Sequence, residues 1–222
     1  MMAMWNHAGF IAKFVIVTLL LMMVGSVLIA IERALAFRKS TQTSIDLAAA
    51  IVSKLQNNDI QAALAIASAE EYKPAYLAAV LRPGLAEMSL RVDDYGLQNA
   101  HRAIQKSISE EVSKFRNWGM TALATVASTA PFVGLFGTTF GVINAFQGMA
   151  TGGGGLASIS AGISEALITT GIGIGVAVVG VWLFNYFNMK IDKVTEDLIS
   201  AEADFEDWAA KMVQSRVAPA AK

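Results

Sequence analysis

One carboxylate stands apart from every other charge around it. Between Arg116 and Lys190 the chain is mostly apolar, glycine or hydroxyl-bearing, and Glu165, in "ISEALITTGIGIG" (Ile163–Gly175), is its only formal charge. An ionised side chain at bilayer depth costs about 2.5–3.5 kcal/mol on insertion scales, and Gln or Leu would remove that cost. A carboxylate kept at such a position is therefore either compensated or needed for its proton. The chemistry that fits is proton carriage, neutral when desolvated and ionised when a water path or partner charge is presented. A structural alternative stands beside it. Glu165 follows the glycine-rich "ATGGGGLASISAG" by a few residues, and acidic groups favour helix N-termini, so an interfacial helix-start charge is also open. No lysine, arginine or histidine within the flanking spans can neutralise it, so compensation is expected from a partner chain or from protonation.

Hydroxyls and glycines accompany this acid. Thr121, Thr125 and Ser128 share one face of an ideal helix. Gly137-x-x-x-Gly141 and Gly171-x-x-x-Gly175 are small-residue spacings that allow helices to approach closely. Packing alone would account for such glycines, and bonding within their own helix would account for about half of the hydroxyls. A carboxylate, a hydroxyl row and tight glycines together are more than an anchor needs. They suit a packed bundle enclosing a polar path. "GGGG" (Gly152–Gly155) lacks the Lys-Ser/Thr of a phosphate-binding loop and reads as a flexible outer loop.

Composition narrows the class. Hydrophobic residues make up 55% of the 222, and the formal net charge is −1, which leaves no basic footprint for nucleic acid. Cysteine is absent, which removes disulfides, thiolate metal sites and thiol catalysis. The two histidines, His7 and His101, have no ligand-like spacing around them and read as ordinary surface residues. With no nucleophile–base pair, metal spacing or nucleotide motif, neither an enzyme nor a cofactor is expected.

Three stretches are long enough to cross a bilayer: Phe14–Ile31, residues 118–149 and residues 163–189. The first resembles a signal peptide in length, but its basic residues, Arg33, Arg38 and Lys39, follow it, and no A-x-A-like cleavage site precedes the first of them. It reads as a retained anchor. Of the Lys and Arg residues, one (Lys13) precedes the first span, eleven lie between Ile31 and Trp118, none lies between Met149 and Gly162, and five follow the third span. The positive-inside rule then gives a short periplasmic N-terminus (1–13), a first transmembrane helix (14–31) and a cytoplasmic segment (32–117). The second helix (118–149), a periplasmic loop (150–162), the third helix (163–189) and a cytoplasmic C-terminal helix (190–222) complete the chain.

The cytoplasmic segment reads as helical, from apolar residues at three- and four-residue spacing in "SIDLAAAIVSKLQ" and "DIQAALAIASAEE". Asn57, Asn58 and Asp59 predict a break and an N-cap. Pro74 and Pro83-Gly84 predict further punctuation. From Leu85 no strong breaker precedes the second span, which predicts one continuous helix into it. Pro131 predicts a kink or a point where that span enters the bilayer. The charged face of the C-terminal helix reads as solvated. The fold class is an all-α membrane protein with three transmembrane helices, two of them extended into a helical cytoplasmic domain.

"ASTAPFVGLFGTTFGVINAF" (Ala127–Phe146) followed by "ISEALITTGIGIGVAV" (Ile163–Val178) resembles the ExbB/TolQ proton-channel family, which is related more distantly to flagellar stator subunits of the MotA type. Both motifs, their order and their spacing agree. "IERAL" after the first span and the helical cytoplasmic insertion agree as well. The resemblance implies an inner-membrane homopentameric ring around the single-span helices of an ExbD/TolR-like dimer. It implies that proton flow down the proton-motive force moves that pair relative to the ring, and a TonB/TolA-like protein is a further implied partner. By motif match the proton pathway would use Glu165, Thr138 and Thr170. This chain also has threonine at Thr169 and Thr139, which stand as further candidates. On an ideal helix Thr169 lies about 40° from Glu165 and Thr170 about 140°, so geometry favours Thr169 where the motif favours Thr170. A structural scaffold without proton conduction is the alternative function. The short N-terminal extension resembles TolQ and "STAPFVGLFGT" resembles ExbB, so TonB-dependent import, Tol-Pal maintenance and motility all stay open.

Overall fold

In the computed structural model, residues 9–117, 119–150 and 155–217 are described, and they are almost entirely helical, with no strand among them. The helices are α1 (Phe10–Gln56), α2 (Ile60–Ala67), α3 (Tyr76–Leu90), α4 (Asp94–Asn117), α5 (Met120–Ala150) and α6 (Leu156–Val217), with a 3-10 turn at Glu70–Tyr72. Three helical stretches are long and apolar enough to cross a membrane: they lie within Phe10–Gln56, Asp94–Met149 and Ile159–Arg216. Long-range packing divides the chain into two units, Met1–Glu32 with Gly119–Phe187, and Arg33–Trp118 with Asn188–Lys222.

In the first unit three apolar helices pack around Val15 and Leu19 of α1, Ala130 of α5, and Val176 and Ala177 of α6. Large apolar side chains also point away from the chain, including Leu21, Phe132 and Trp182, each more than 60% exposed. A soluble protein does not leave such a surface uncovered, whereas lipid or neighbouring helices cover it at no hydrophobic cost. Helix α5 runs through Pro131 without ending. The continuous helix predicted from Leu85 into the second span is interrupted. Helix α4 stops at Asn117, and α5 starts at Met120 after Gly119, whose φ of 74° suits glycine. Helix α6 begins at Leu156, so the described part of the loop expected over 150–162 is mostly helical, and residues 151–154 lie outside the described residues.

In the second unit α3 packs mainly on α4. The predicted break before α2 is present: Asn58 takes φ 54°, and the Asp59 carboxylate caps the helix by accepting from the Ala62 amide at 3.0 Å. Pro83-Gly84 does not punctuate; it lies inside α3. Burial of Val80, Leu81, Leu85 and Met88 outweighs the lost amide, and a Cβ on Gly84 would overlap the Ile104 side chain. The break falls instead at Arg91–Asp93. There Asp93 accepts from the Gly96 amide at 2.8 Å and pairs with Arg91. The Gly96 amide first, and then Arg91, hold the Asp93 carboxyl below its ordinary value. Tyr76 is buried and its hydroxyl meets Asp197 at 3.1 Å. Burial, reinforced by the charge and hydrogen bond of Asp197, pushes the Tyr76 phenol up to about 12. Trp208 Nε1 donates to the Leu55 carbonyl at 2.7 Å, satisfying one of the last carbonyls of α1.

Candidate functional site

The site is built where α5 and α6 approach most closely. Gly134, Gly137 and Gly141 line one face of α5 at intervals of three and four residues, and Ala166, Thr169, Thr170 and Gly173 line the facing stripe of α6. A Cβ on Gly134 would lie 2.8 Å from the Thr169 carbonyl oxygen, on Gly137 2.7 Å from Thr169 Oγ1, and on Gly141 2.8 Å from Ala166 Cβ. On the other helix, a Cβ on Gly173 would lie 2.7 Å from the Ala130 carbonyl oxygen. A Cβ at any of these four positions would collide with the facing helix, so the glycines fix the separation at which short hydroxyl side chains can span the gap. Gly171 and Gly175 differ. A Cβ on either meets nothing within 4 Å, so the second glycine spacing makes no close approach within the chain. Gly173 does so in its place.

That separation brings three hydroxyls together. Thr138 Oγ1 and Thr170 Oγ1 are in direct hydrogen-bonding contact, and either can donate. Thr138 Oγ1 also lies 3.3 Å from the Ala166 carbonyl and 3.2 Å from that of Gly134. Thr170 Oγ1 lies 3.3 Å from the Gly134 carbonyl. Thr169 is fully buried, and its hydroxyl donates to the Ala166 carbonyl at 2.7 Å with Gly134 at 3.3 Å. Each hydroxyl has one proton and several acceptors within reach, so the pair can exchange donor and acceptor by rotation. Thr139 is exposed and donates to its own helix, at the Leu135 carbonyl, 2.7 Å away. The hydroxyl row on α5 also faces away from the chain. Thr125 bonds back to Thr121 O at 2.8 Å and Ser128 to Thr125 O at 3.1 Å.

Glu165 is half-buried, and its Oε1 accepts from the Gly9 amide, 3.1 Å away and 156 positions distant in sequence. Gly9 immediately precedes α1, whose first amides have no partner within the helix and carry its positive end. The threonine pair does not hydrogen-bond Glu165; Thr170 lies about 7.5 Å further along the axis of α6, five residues at the helical rise. The interface thus holds one titratable group at the head of α1 and an uncharged hydroxyl pair a turn and a half below it. Gly9, Gly134, Ala166 and Gly173 were not singled out from the sequence. The Gly134-x-x-Gly137 interval, which continues the Gly137/Gly141 stripe, is the signal that would have found the second of them.

Residues 72–199 match the model of the MotA/TolQ/ExbB proton channel family. The chain belongs to that family. Among curated relatives it is similar to the Biopolymer transport protein ExbB of Xanthomonas campestris pv. campestris, with 38% identity over 110 residues, 49% of this chain and 43% of the relative. It is similar to the Tol-Pal system protein TolQ of Pseudomonas aeruginosa, with 38% identity over 145 residues, 62% of this chain and 61% of the relative. It is also similar to the ExbB of Pseudomonas putida, with 47% identity over 74 residues, 33% of this chain and 22% of the relative. The chain spans about half the length of the first two relatives it matches. Membership of the MotA/TolQ/ExbB family and three apolar helices mark it as a multi-pass protein of the inner membrane.

Proposed function

We propose that this chain is a proton-channel ring subunit that couples the proton-motive force to mechanical work at the cell envelope, in a motor of the ExbB–ExbD or TolQ–TolR kind. The observation that supports it best is the Thr138–Thr170 hydroxyl pair, which bridges the glycine-packed helices α5 and α6, with Thr170 on the same helix as Glu165, the lone charge of the spans. A carboxyl can take up and release a proton, and a hydroxyl pair can pass one on without becoming charged. Glu165, Thr138 and Thr170 are the pathway residues in this reading. Thr169 holds the helix interface, and Thr139 takes no part in the threonine pair. Gly171 and Gly175, open within the protomer, offer a surface on which a neighbouring subunit of a homopentamer can pack. The inner partner is an ExbD/TolR-like single-span dimer that supplies the opposing acid, and a TonB/TolA-like protein takes up the work. The N-terminus faces the periplasm and the C-terminus the cytoplasm, and the chain performs no enzymatic reaction.

The Gly9–Glu165 contact favours a second reading, a structural scaffold in which the acid ties α6 to the head of α1. Glu165→Gln separates them because the amide still accepts a hydrogen bond but carries no proton load. In vesicles co-reconstituted with the single-span partner, the first reading expects Glu165→Gln to abolish proton flux with assembly intact. Wild-type flux through the variant would establish the scaffold instead.

A further inference from the structure

His101 does not stand alone as a surface residue. It lies on α4 with Nδ1 3.4 Å from Glu202 Oε1 and in direct contact with Glu206 Oε1, both on α6 and within the second unit. Its three donor atoms come from segments a hundred residues apart, so no local spacing announces them; His7 lies outside the described residues.

We propose that His101, Glu202 and Glu206 form a binding site for a divalent transition cation of the Zn2+ class, clamping α4 to the C-terminal part of α6. Glu202 and Glu206 stand at i and i+4, which sets both carboxylates on one helix face within reach of a single ion. One donor oxygen or nitrogen from each of the three residues falls within 4.8 Å of the others. Two donors about 2.1 Å from a tetrahedral ion lie about 3.4 Å apart, the separation found between His101 Nδ1 and Glu202 Oε1, whereas Glu206 Oε1 sits closer than this to Nδ1 and its half-exposed carboxylate must swing outward to share the ion. His101 Nδ1 and Glu202 Oε1 are sealed from solvent yet make no hydrogen bond. A metal satisfies such atoms where a misaligned ion pair does not. The charge balance agrees. One imidazolium cancels one of the two carboxylates, whereas a divalent ion on neutral imidazole cancels both. Arg102, next in sequence, does not compensate, because it turns back onto its own helix at Gln98 O (3.3 Å) and Asn99 Oδ1 (3.1 Å). Imidazole with two carboxylates suits Zn2+ and its borderline neighbours over soft ions such as Cu(I). The Glu206 side chain is 41% exposed, which leaves the ion a route in and room for a water ligand. This site is independent of the proton-channel reading.

The test uses the full chain in detergent, without a polyhistidine tag and stripped with a chelator, titrated with ZnCl2 by calorimetry and by thermal melting. The expected result is saturable uptake of one Zn2+ per chain with a chelator-reversible rise in Tm. Affinity falls by at least about tenfold in His101→Ala and in Glu206→Gln, a loss no smaller than outer-shell changes cause. Glu110→Gln, an exposed acid elsewhere on α4, leaves binding unchanged. Glu206→Gln keeps the side-chain volume at a half-exposed position, so it remains decisive should His101→Ala fail to fold. No saturable binding by the wild type, or equal affinity in Glu206→Gln, would overturn the proposal.

Discussion

Glu165 Oε1 rests on the amide of Gly9, so the one charged side chain of the apolar spans meets the positive end of α1 rather than lying unpartnered in lipid. The contact needs an acceptor oxygen and not a charge. Glu165→Gln is therefore expected to change Tm little, within the roughly 0.5 kcal/mol of an ordinary surface substitution. Glu165→Leu loses the acceptor as well and is expected to lower Tm further. If proton flux is lost in both while Tm falls only in the second, anchoring and proton carriage are separate properties of this residue.

The neighbouring threonines divide by environment. Thr170→Val and Thr138→Val each remove one half of the hydroxyl pair, and each is expected to lose most proton flux in vesicles. Thr139→Val, at an exposed hydroxyl bonded to its own helix, is expected to keep it. Thr169→Val removes a buried hydroxyl from two carbonyls and is expected to cost about 1 kcal/mol of stability, read as a lower Tm. Strong flux in Thr170→Val would remove the hydroxyl pair from the pathway.

Glycine substitutions distinguish packing within the chain from packing between chains. Gly134→Ala drives a methyl to 2.8 Å from the Thr169 carbonyl oxygen and 3.1 Å from Thr170 Cα, both backbone atoms. Overpacking of this kind costs about 1–3 kcal/mol, and Tm should fall accordingly. Gly171→Ala meets nothing within 4 Å in the protomer. Its effect is expected in subunit association, measured by the size of the detergent-solubilised complex, with secondary structure unchanged.

Alkaline pH should loosen the second unit through Tyr76. Its folded value of about 12 lies above the ordinary 10.0, so the folded state holds the proton more tightly than the unfolded state does. The stabilisation is whole below pH 10 and is lost as pH rises toward 12. A phenol-ionisation difference spectrum between the wild type and Tyr76→Phe should show one tyrosine with a midpoint near 12. The variant should also show a shallower fall in Tm over that window. A Tyr76 component with its midpoint at 10 would mean that neither the burial of the phenol nor its Asp197 contact persists in solution.

The sequence alone determined the helical class, the three apolar spans, the isolation of Glu165 and the family. All of these depend on composition, period and motif along contiguous residues. The Asp59 cap was legible for the same reason, since a cap joins a residue to an amide three positions on. Pro83-Gly84 and the Leu85-to-span helix were misjudged because local propensity yields to burial in the first case, and in the second because the Asp93 turn at Arg91–Asp93 and the positive φ of Gly119 break a helix that periodicity would continue. Only the tertiary structure decided which of two adjacent threonines meets Thr138. Ideal helical angles are measured about one axis, whereas the contact depends on where a second helix, held close by Gly134 and Gly173, lies against it. It alone paired Glu165 with Gly9 and His101 with Glu202 and Glu206, because contacts between residues a hundred or more positions apart leave no period or spacing in a single chain.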